Sequence, residues 1–477
     1  MNPLSSTIAA VSTPRGRGGI AVIRISGTDA VSIAERMFVP ASRRAVRELP
    51  ERFAAFGDIL DSDGDVCDSG ICTVFRAPRS FTGEDVVELS CHGGTAVTEA
   101  VLLSAIAHGA TMADAGEFTK RAFLNGKLSL TEAEAVGRLI DADTTERRKL
   151  AGGAARGNVS RELDRLSASL LDVMTALYAA IDYPEEDVGD EGERRIGEVL
   201  RSVSADVRRL LSTYKTGRAV QTGVRCVICG RPNVGKSSLF NRIVGDEAAI
   251  VTSVAGTTRD VLRETASFGG VTLRLSDTAG IHESSDEVER LGIERAYDEL
   301  EGAELVLAVW NGAEPLNEQD EELLLRLGRL GGASDSDGVP IIGVINKLDL
   351  CGGGNGESSI DEGRIAEVCG GAENVVRVSC ANERGIDELA AVVARRFGSD
   401  GIDLRHDAVI WDVRQRTQLL RADVALTAAL GGLTSGDPLD AVCTLVEEAM
   451  AALSETDGRG VNEEIVTEIF SRFCVGK

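Results

Sequence analysis

The spacing of apolar positions changes three times along the chain, and each change marks a new kind of region. Over residues 6–26 two short β-like runs flank a Pro/Gly/Arg turn, which predicts two strands. Helical spacing follows around Ala30–Met37. Residues 53–60, 71–76 and 86–91 predict further strands and Thr95–His108 a helix, so this region is expected to be α+β and to end near Gly126. From Leu128 the pattern turns helical, with Thr131 and Glu134 at capping-box spacing. Leu163, Leu166, Leu170, Met174, Leu177 and Ile181 recur at three and four, one apolar stripe on a long helix. Asp182-Tyr-Pro interrupts it, and another helix is expected from about Glu191 to Tyr214. Residues 218–395 alternate strand and helix signals, which favours a doubly wound parallel sheet. Three helices, at 415–430, 438–453 and 461–473, complete the chain.

These changes predict a multidomain α/β protein: an α+β domain (1–127), a helical domain (128–217), an inserted α/β domain (218–397) and a second helical part (398–477). Both ends of such an insert enter one helical body, so changes in the insert can move that body. Two Gly-rich stretches, at 331–338 and 352–359, read as polar surface loops without chemistry.

Composition bounds the function. Of 477 residues, 43% are hydrophobic and 27% charged, as in a globular protein. No run approaches the roughly 18 apolar residues of a membrane span, and the N-terminus lacks a secretory layout, so a cytoplasmic location is expected. The net charge of −25 argues against nucleic-acid binding over the whole surface. Any such contact must be local, and residues 1–55, with eight Arg against four acidic residues, are one candidate patch; a solvated mixed face is the alternative. The ten Cys have no framework spacing and are expected to be reduced and mostly buried. Cys226 and Cys229 form C-x-x-C on a predicted strand, where i and i+3 face opposite ways and do not share a metal.

The chemistry centres on residues 224–240. An apolar run ends at Gly230, G-x-x-x-x-G-K-S runs from Gly230 to Ser237, and Leu239, Phe240 and Ile243 continue at helical spacing. That is the strand–loop–helix setting of a phosphate-binding loop, in which Lys236 faces the β- and γ-phosphates and Ser237 ligates Mg²⁺. Further signals follow in the order a GTPase needs. Gly256-Thr-Thr-Arg-Asp places Thr258 to reach Mg²⁺ and the γ-phosphate. Leu-Ser-Asp-Thr-Ala-Gly places Asp277 behind the metal and Gly280 near the γ-phosphate. N-K-x-D at Asn346, Lys347 and Asp349 supplies a carboxylate for the two N–H donors of guanine, which adenine lacks. Val378-Ser-Cys-Ala supplies backbone N–H groups near the guanine O6. The expected nucleotide contacts are therefore Asn233, Val234, Gly235, Lys236, Ser237 and Ser238; Thr252, Ser253, Val254, Ala255, Gly256, Thr257 and Thr258; Asp277, Thr278, Ala279 and Gly280; and Asn346, Lys347, Asp349, Ser379, Cys380 and Ala381.

Ile281 follows Asp-Thr-Ala-Gly, where Ras-type GTPases carry the glutamine that orients the attacking water. Ile cannot do so. Two residues are candidates to replace that function: Glu289, a few residues on, and Asn233, whose side-chain oxygen can help hold a monovalent cation. For Glu289 the plain alternative is a solvated helix-surface charge.

Arg-Ile-Ser-Gly near the start, Thr82-Gly-Glu-Asp-Val-Val-Glu-Leu, His92-Gly-Gly, Phe123-Leu-Asn-Gly-Lys-Leu-Ser-Leu and a C-terminal Phe-Cys-Val-Gly-Lys, around an inserted GTPase, together resemble the tRNA-modification GTPase MnmE (TrmE) family over essentially the whole chain. The resemblance implies an N-terminal domain that binds a tetrahydrofolate one-carbon donor through Arg24, Glu88, Lys127 and Lys477 and forms a homodimer. It implies a K⁺ site at Asn233, Thr252, the Val254 carbonyl and Thr257, Mg²⁺ on Ser237 and Thr258, and Glu289 as the water-orienting acid. The implied reaction adds an aminomethyl-type group to C5 of the wobble uridine of certain tRNAs, with an FAD-dependent flavoprotein partner of the MnmG (GidA) type. Cys474, in the tail, has a thiol that can reach the folate site. The chain departs from the family at His282, where Arg is usual, at Val475 in the tail, and in Ser-Cys-Ala. A ribosome-assembly GTPase that binds rRNA shares the G motifs and is the alternative reading; the net charge and flanking domains weigh against it.

Overall fold

The computed structural model describes residues 6–14, 16–182, 189–245, 263–276, 300, 302–330, 339–351, 359–398, 401–460, 463–471 and 473–476. The chain forms two compact units, one of residues 1–137 and 453–477, the other of residues 138–452.

The first unit is built on a seven-stranded sheet. Its strands are β1 (Ile8–Val11), β2 (Ile20–Ser26), β3 (Phe38–Pro40), β4 (Ala55–Leu60), β5 (Val66–Phe75), β6 (Val86–His92) and β7 (Thr111–Met112), in the order β3-β4-β5-β6-β2-β1-β7. Only the β1–β7 pair is parallel. The expected strands at 53–60, 71–76 and 86–91 are β4, β5 and β6. Alternation along β2 and β6 sends Ile23, Ile25, Val87 and Leu89 to one core, where α1 (Ala30–Met37) and α2 (Thr95–Ala107) add Ile33, Met37 and Val101. α3 (Glu117–Leu124) and α4 (Leu130–Ile140) follow.

The C-terminal residues belong to this unit. Val466 and Phe470, on the helix Glu463–Ser471, pack with Leu130 and Ala133. The tail beyond it reaches the sheet: Val475 bridges Ala115, Gly116 N–H donates to the Cys474 carbonyl, and Gly476 lies against the Val11 backbone. The capping box of α4 falls two residues before the expected one. Ser129 Oγ accepts from Glu132 N–H and a Glu132 carboxylate oxygen accepts from Ser129 N–H. Thr131 is instead buried and donates to the Thr456 carbonyl.

The second unit holds a six-stranded sheet between helices. α5 (Thr145–Ala155), α6 (Asn158–Asp182), α7 (Gly189–Ser212) and α8 (Tyr214–Thr222) precede β8 (Val224–Cys229) and α9 (Lys236–Val244). β9 (Arg263–Phe268), β10 (Val271–Ser276), β11 (Leu305–Asn311), β12 (Ile341–Asn346) and β13 (Val375–Arg377) complete the order β13-β12-β11-β8-β10-β9. The expected parallel sheet is parallel from β13 to β10, and β9 adds an antiparallel edge. Gly269 and Gly270, both with positive φ (60° and 73°), make that hairpin turn.

The apolar stripe of α6 is buried from Leu163 to Leu177, whereas Ile181 is 37% exposed in the last turn. The helix expected from about Glu191 to Tyr214 is α7, and Thr213 separates it from α8. Helices before and after the sheet in sequence pack together: Arg208 (α7) pairs with Asp423 at 2.8 Å, and Thr213 Oγ1 accepts from Ile410 N–H. The final helices of this body are Val413–Ser435 and Leu439–Thr456. α5 abuts the β9–β10 hairpin, where Ser267 Oγ donates to Glu146 and the Thr144 and Thr272 hydroxyls lie 3.2 Å apart. Both Gly-rich stretches fall almost wholly outside the described residues.

Candidate nucleotide-binding and N-terminal sites

β8 is buried at Cys226, Val227 and Ile228 and delivers the chain to the loop at Gly230. Gly230 has φ 151°, and a Cβ there would sit 2.3 Å from the Val309 carbonyl, so the loop leaves the sheet where only glycine passes. Asn233, exposed at the tip, holds a left-handed φ of 62°. Gly235 (φ 102°) caps α9, and Lys236 and Ser237 open that helix, which presents free N–H groups to an anion. The Lys236 ammonium donates to the Gly230 carbonyl at 3.0 Å and to the Arg231 carbonyl at 2.9 Å. Burial pulls its pKa below the ordinary lysine value, with the neighbouring Cys229 opposing. Burial pushes the Cys229 thiol up to about 12, so it is a neutral strand residue at neutral pH. Among the described residues no group of His, Cys, Asp and Glu is placed to hold a metal, and all ten Cys are free, with Cys474 exposed.

The Asn-Lys-x-Asp and Ser-Cys-Ala segments converge on this loop. Asn346 ends β12 buried; its Nδ2 donates to the Val234 carbonyl at 3.0 Å, and its Oδ1 accepts from Cys380 N–H at 3.2 Å. One side chain thus ties the phosphate loop to the loop of Ser379, Cys380 and Ala381. Lys347 turns the chain with φ 66°, and Asp349 follows, exposed, accepting from Ser379 Oγ at 2.6 Å. Through Asn346 and Ser379 the structure therefore links the segment of Asn233, Val234, Gly235, Lys236, Ser237 and Ser238 to that of Asn346, Lys347 and Asp349 and to that of Ser379, Cys380 and Ala381. Thr252, Ser253, Val254, Ala255, Gly256, Thr257, Thr258, Asp277, Thr278, Ala279, Gly280, Ile281, His282 and Glu289 lie outside the described residues.

In the first unit, Arg24 on β2 stands opposite Glu88 on β6, and its Nε and Nη2 both reach Glu88 Oε1, at 2.9 and 2.7 Å. The guanidinium also lies 5.6 Å from the ring centres of Phe81 and Phe118. Lys127 donates to the Pro78 carbonyl at 3.0 Å, so residues 78–81 touch both Lys127 and Arg24, and Glu88 is joined to them through Arg24. Lys477 lies outside the described residues; the tail up to Gly476 runs along the end of β1. A buried network adjoins this site. Arg121, 1% exposed, bonds Glu117, Glu84 and the Ser6 carbonyl, and Glu84 also accepts from Ser26 Oγ. Glu84 stood inside the quoted Thr-Gly-Glu motif, but its partner is 37 residues away and no spacing rule points to it.

Four arginines of the first 55 residues are engaged within the unit: Arg24 with Glu88, Arg47 with Glu35, and Arg36 and Arg52 with the His108 and Arg79 carbonyls.

A family model described as the GTP-binding protein TrmE N-terminus matches residues 7–127, and one described as the MnmE helical domain matches residues 130–474. Relatives described as tRNA modification GTPase MnmE include those of Geobacillus kaustophilus, 40% identical over 473 residues, and Listeria innocua, 39% identical over 473 residues. Each alignment covers 99% of this chain and 99% of the relative. Solved structures similar to part of the chain include the G domain of the T. maritima FeoB iron transporter (26% identical, TM-score 0.27, 37% of this chain and 98% of that one). Aquifex aeolicus Era is another (25% identical, TM-score 0.28, 42% and 66%).

Proposed function

The chain belongs to the MnmE family of tRNA modification GTPases, and from that premise we propose that it is a K⁺-activated GTP hydrolase that, with an FAD-dependent flavoprotein of the MnmG type, adds a carboxymethylaminomethyl or aminomethyl group to C5 of the wobble uridine of certain tRNAs. The observation that carries the nucleotide half of this reading is Asn346, whose side chain bonds both the Val234 carbonyl and Cys380 N–H. With both its amide groups committed to the protein, Asn346 shapes the base pocket, while Asp349 is left exposed to accept from the guanine edge.

On this reading the N–H groups at the start of α9 and the Lys236 ammonium bind the β- and γ-phosphates. The carbonyls of Gly230 and Arg231 hold that ammonium in the loop. Ser237 and Thr258 supply hydroxyl oxygens of the hard kind that suit Mg²⁺, which when bound offsets charge on the phosphate oxygens. Asn233, Thr252, Val254 and Thr257 supply neutral oxygens for K⁺, which adds positive charge where other GTPases use an arginine. Glu289 orients the attacking water that Ile281 cannot hold.

In the N-terminal domain Arg24, Glu88, Lys127 and Lys477 would hold the folate donor. Arg24, set between two rings and a carboxylate, suits a flat heterocycle with polar edges. Cys474, exposed in the tail, is proposed to take part near that donor. The division at 127/128, 217/218 and 397/398, the homodimer and the cytoplasmic location belong to the same proposal. No described helix is long and apolar enough to cross a membrane.

The test is reconstitution: the purified chain, a MnmG-type flavoprotein with FAD and NADH, a tetrahydrofolate donor, GTP and a tRNA transcript, read by mass spectrometry of the wobble uridine. The expected result is a mass gain at C5 that Lys236→Ala abolishes and Cys474→Ser reduces. No gain with the wild-type chain contradicts the reading, and an undiminished gain with Cys474→Ser removes that thiol from the chemistry.

A further inference from the structure

Arg242 lies in the last turn of α9, away from the phosphate loop and outside every guanine-nucleotide motif in the chain. Its Nε–H donates to the Cys380 carbonyl at 2.9 Å, and its Nη1 reaches the carboxylate of Glu383. The segment it holds is the tight loop closed by the paired backbone bonds of Ser379 and Arg384. The Cys380 residue is therefore gripped on both sides, its N–H by Asn346 Oδ1 and its C=O by Arg242.

The second grip has a consequence for the next residue. A peptide unit is planar and trans, so the carbonyl of Cys380 and the N–H of Ala381 point in opposite directions in one rigid plane. A guanidinium that fixes the carbonyl fixes the N–H as well. Ala381 is exposed, and its N–H has no partner among the described residues. Glu383 adopts a left-handed φ of 58°, a strained state for a non-glycine residue, and its carboxylate completes the fork around Arg242.

We propose that Arg242 is a positioning residue for base recognition: by holding the Cys380 carbonyl it sets the direction of the Ala381 N–H that meets the guanine O6, and so couples the helix that begins with Lys236 to the base pocket. The inference rests on the guanine reading above and adds a specificity determinant to it. Lysine is a poor substitute, because it offers a point charge and not a planar fork able to take a carbonyl and a carboxylate together.

The test measures dissociation constants by calorimetry for the full chain with GDP, 6-thio-GDP (a weaker acceptor at position 6), IDP (no 2-amino group) and ADP. The wild-type chain is expected to prefer GDP over each of the other three. In Arg242→Ala the Kd for GDP is expected to rise about tenfold, the scale of one lost charge-assisted hydrogen bond. Its preference for GDP over 6-thio-GDP should collapse toward one while the penalty for IDP persists, since that reports Asp349. Arg242→Lys is expected to fall between. Equal weakening of GDP and 6-thio-GDP, or unchanged GDP affinity, overturns the proposal. A wild-type chain that prefers GDP to ADP but not to 6-thio-GDP overturns it too and leaves the guanine reading standing; one indifferent between GDP and ADP removes both. If circular dichroism shows Arg242→Ala unfolded, Glu383→Ala on the exposed side of the fork serves instead. A selective loss of about two- to threefold is expected there, and an unselective loss or none overturns the proposal.

Discussion

Gly235 shows how little room the nucleotide loop leaves. Its φ of 102° is strained for any side chain, and an added Cβ would stand 2.2 Å from Asn346 Nδ2. Gly235→Ala must therefore either deform the phosphate loop or push Asn346 from its bonds to Val234 and Cys380. Both routes damage the pocket, and we expect GDP affinity to fall at least about tenfold with a stability loss of about 1–3 kcal/mol, read by nucleotide titration and urea unfolding. Unchanged affinity would mean that Asn346 does not shape the site. At this scale the sequence was informative wherever chemistry is local. Gly230, Lys236, Asn346 and Asp349 sit at fixed offsets within short motifs, and the structure gathers them. The Arg242–Cys380 contact spans 138 residues and the Arg121–Glu84 contact 37, so each is set by packing of distant elements and leaves no local trace.

At the scale of elements, α6 and α7 are joined by an ion-pair lattice: Arg165 with Glu162 at 3.0 Å and Asp206 at 2.5 Å, and Arg209 with Glu162 at 2.6 Å. The Arg165 hydrogen bond holds Glu162 below the ordinary carboxylate range. Burial raises Asp206, but the bonds from Arg165 and Arg209 outweigh it and its pKa is also lowered. A carboxylate whose pKa is lower folded than unfolded stabilises the fold above its unfolded value, and that contribution disappears as pH falls through the folded one. Stability is therefore expected to decline as pH falls through and below the ordinary carboxylate range, and Glu162→Gln is expected to flatten that decline in urea unfolding series. A slope identical to wild type would show the lattice to be ornamental in solution.

The apolar stripe of α6 and strands β1, β2, β4, β5, β6 and β8 were legible because burial imposes periods of 3.6 and 2, whereas the short β3 and β7 were not. Cap registers were not. Thr131/Glu134 and Ser129/Glu132 have the same spacing, and what separates them is the burial of Thr131 against the Thr456 carbonyl. The antiparallel β9 was equally hidden, since a Gly-Gly turn announces a hairpin only once the strand before it is known.

At the scale of the molecule, the described G motifs, at 230–238, 346–349 and 379–381, adjoin one sheet whose β9–β10 hairpin is bonded to α5 of the helical body through Glu146–Ser267 and Thr144–Thr272. These bonds give the hairpin a direct mechanical connection to α5 of the helices. The other unit sets Arg24 and Lys127 against residues 78–81 and Glu88 on Arg24, with the C-terminal tail on the same unit. A net charge of −25 leaves any nucleic-acid contact to local surfaces, and four of the early arginines are already committed.

The central claim is that this is a GTPase whose catalysis depends on a cation and an acid in place of the missing glutamine. The direct measurement is the steady-state rate of GTP hydrolysis by the purified chain in KCl and in NaCl at equal ionic strength, with Asn233→Ala beside it. The account predicts faster hydrolysis in KCl and loss of that difference in Asn233→Ala; equal wild-type rates in the two salts would contradict it.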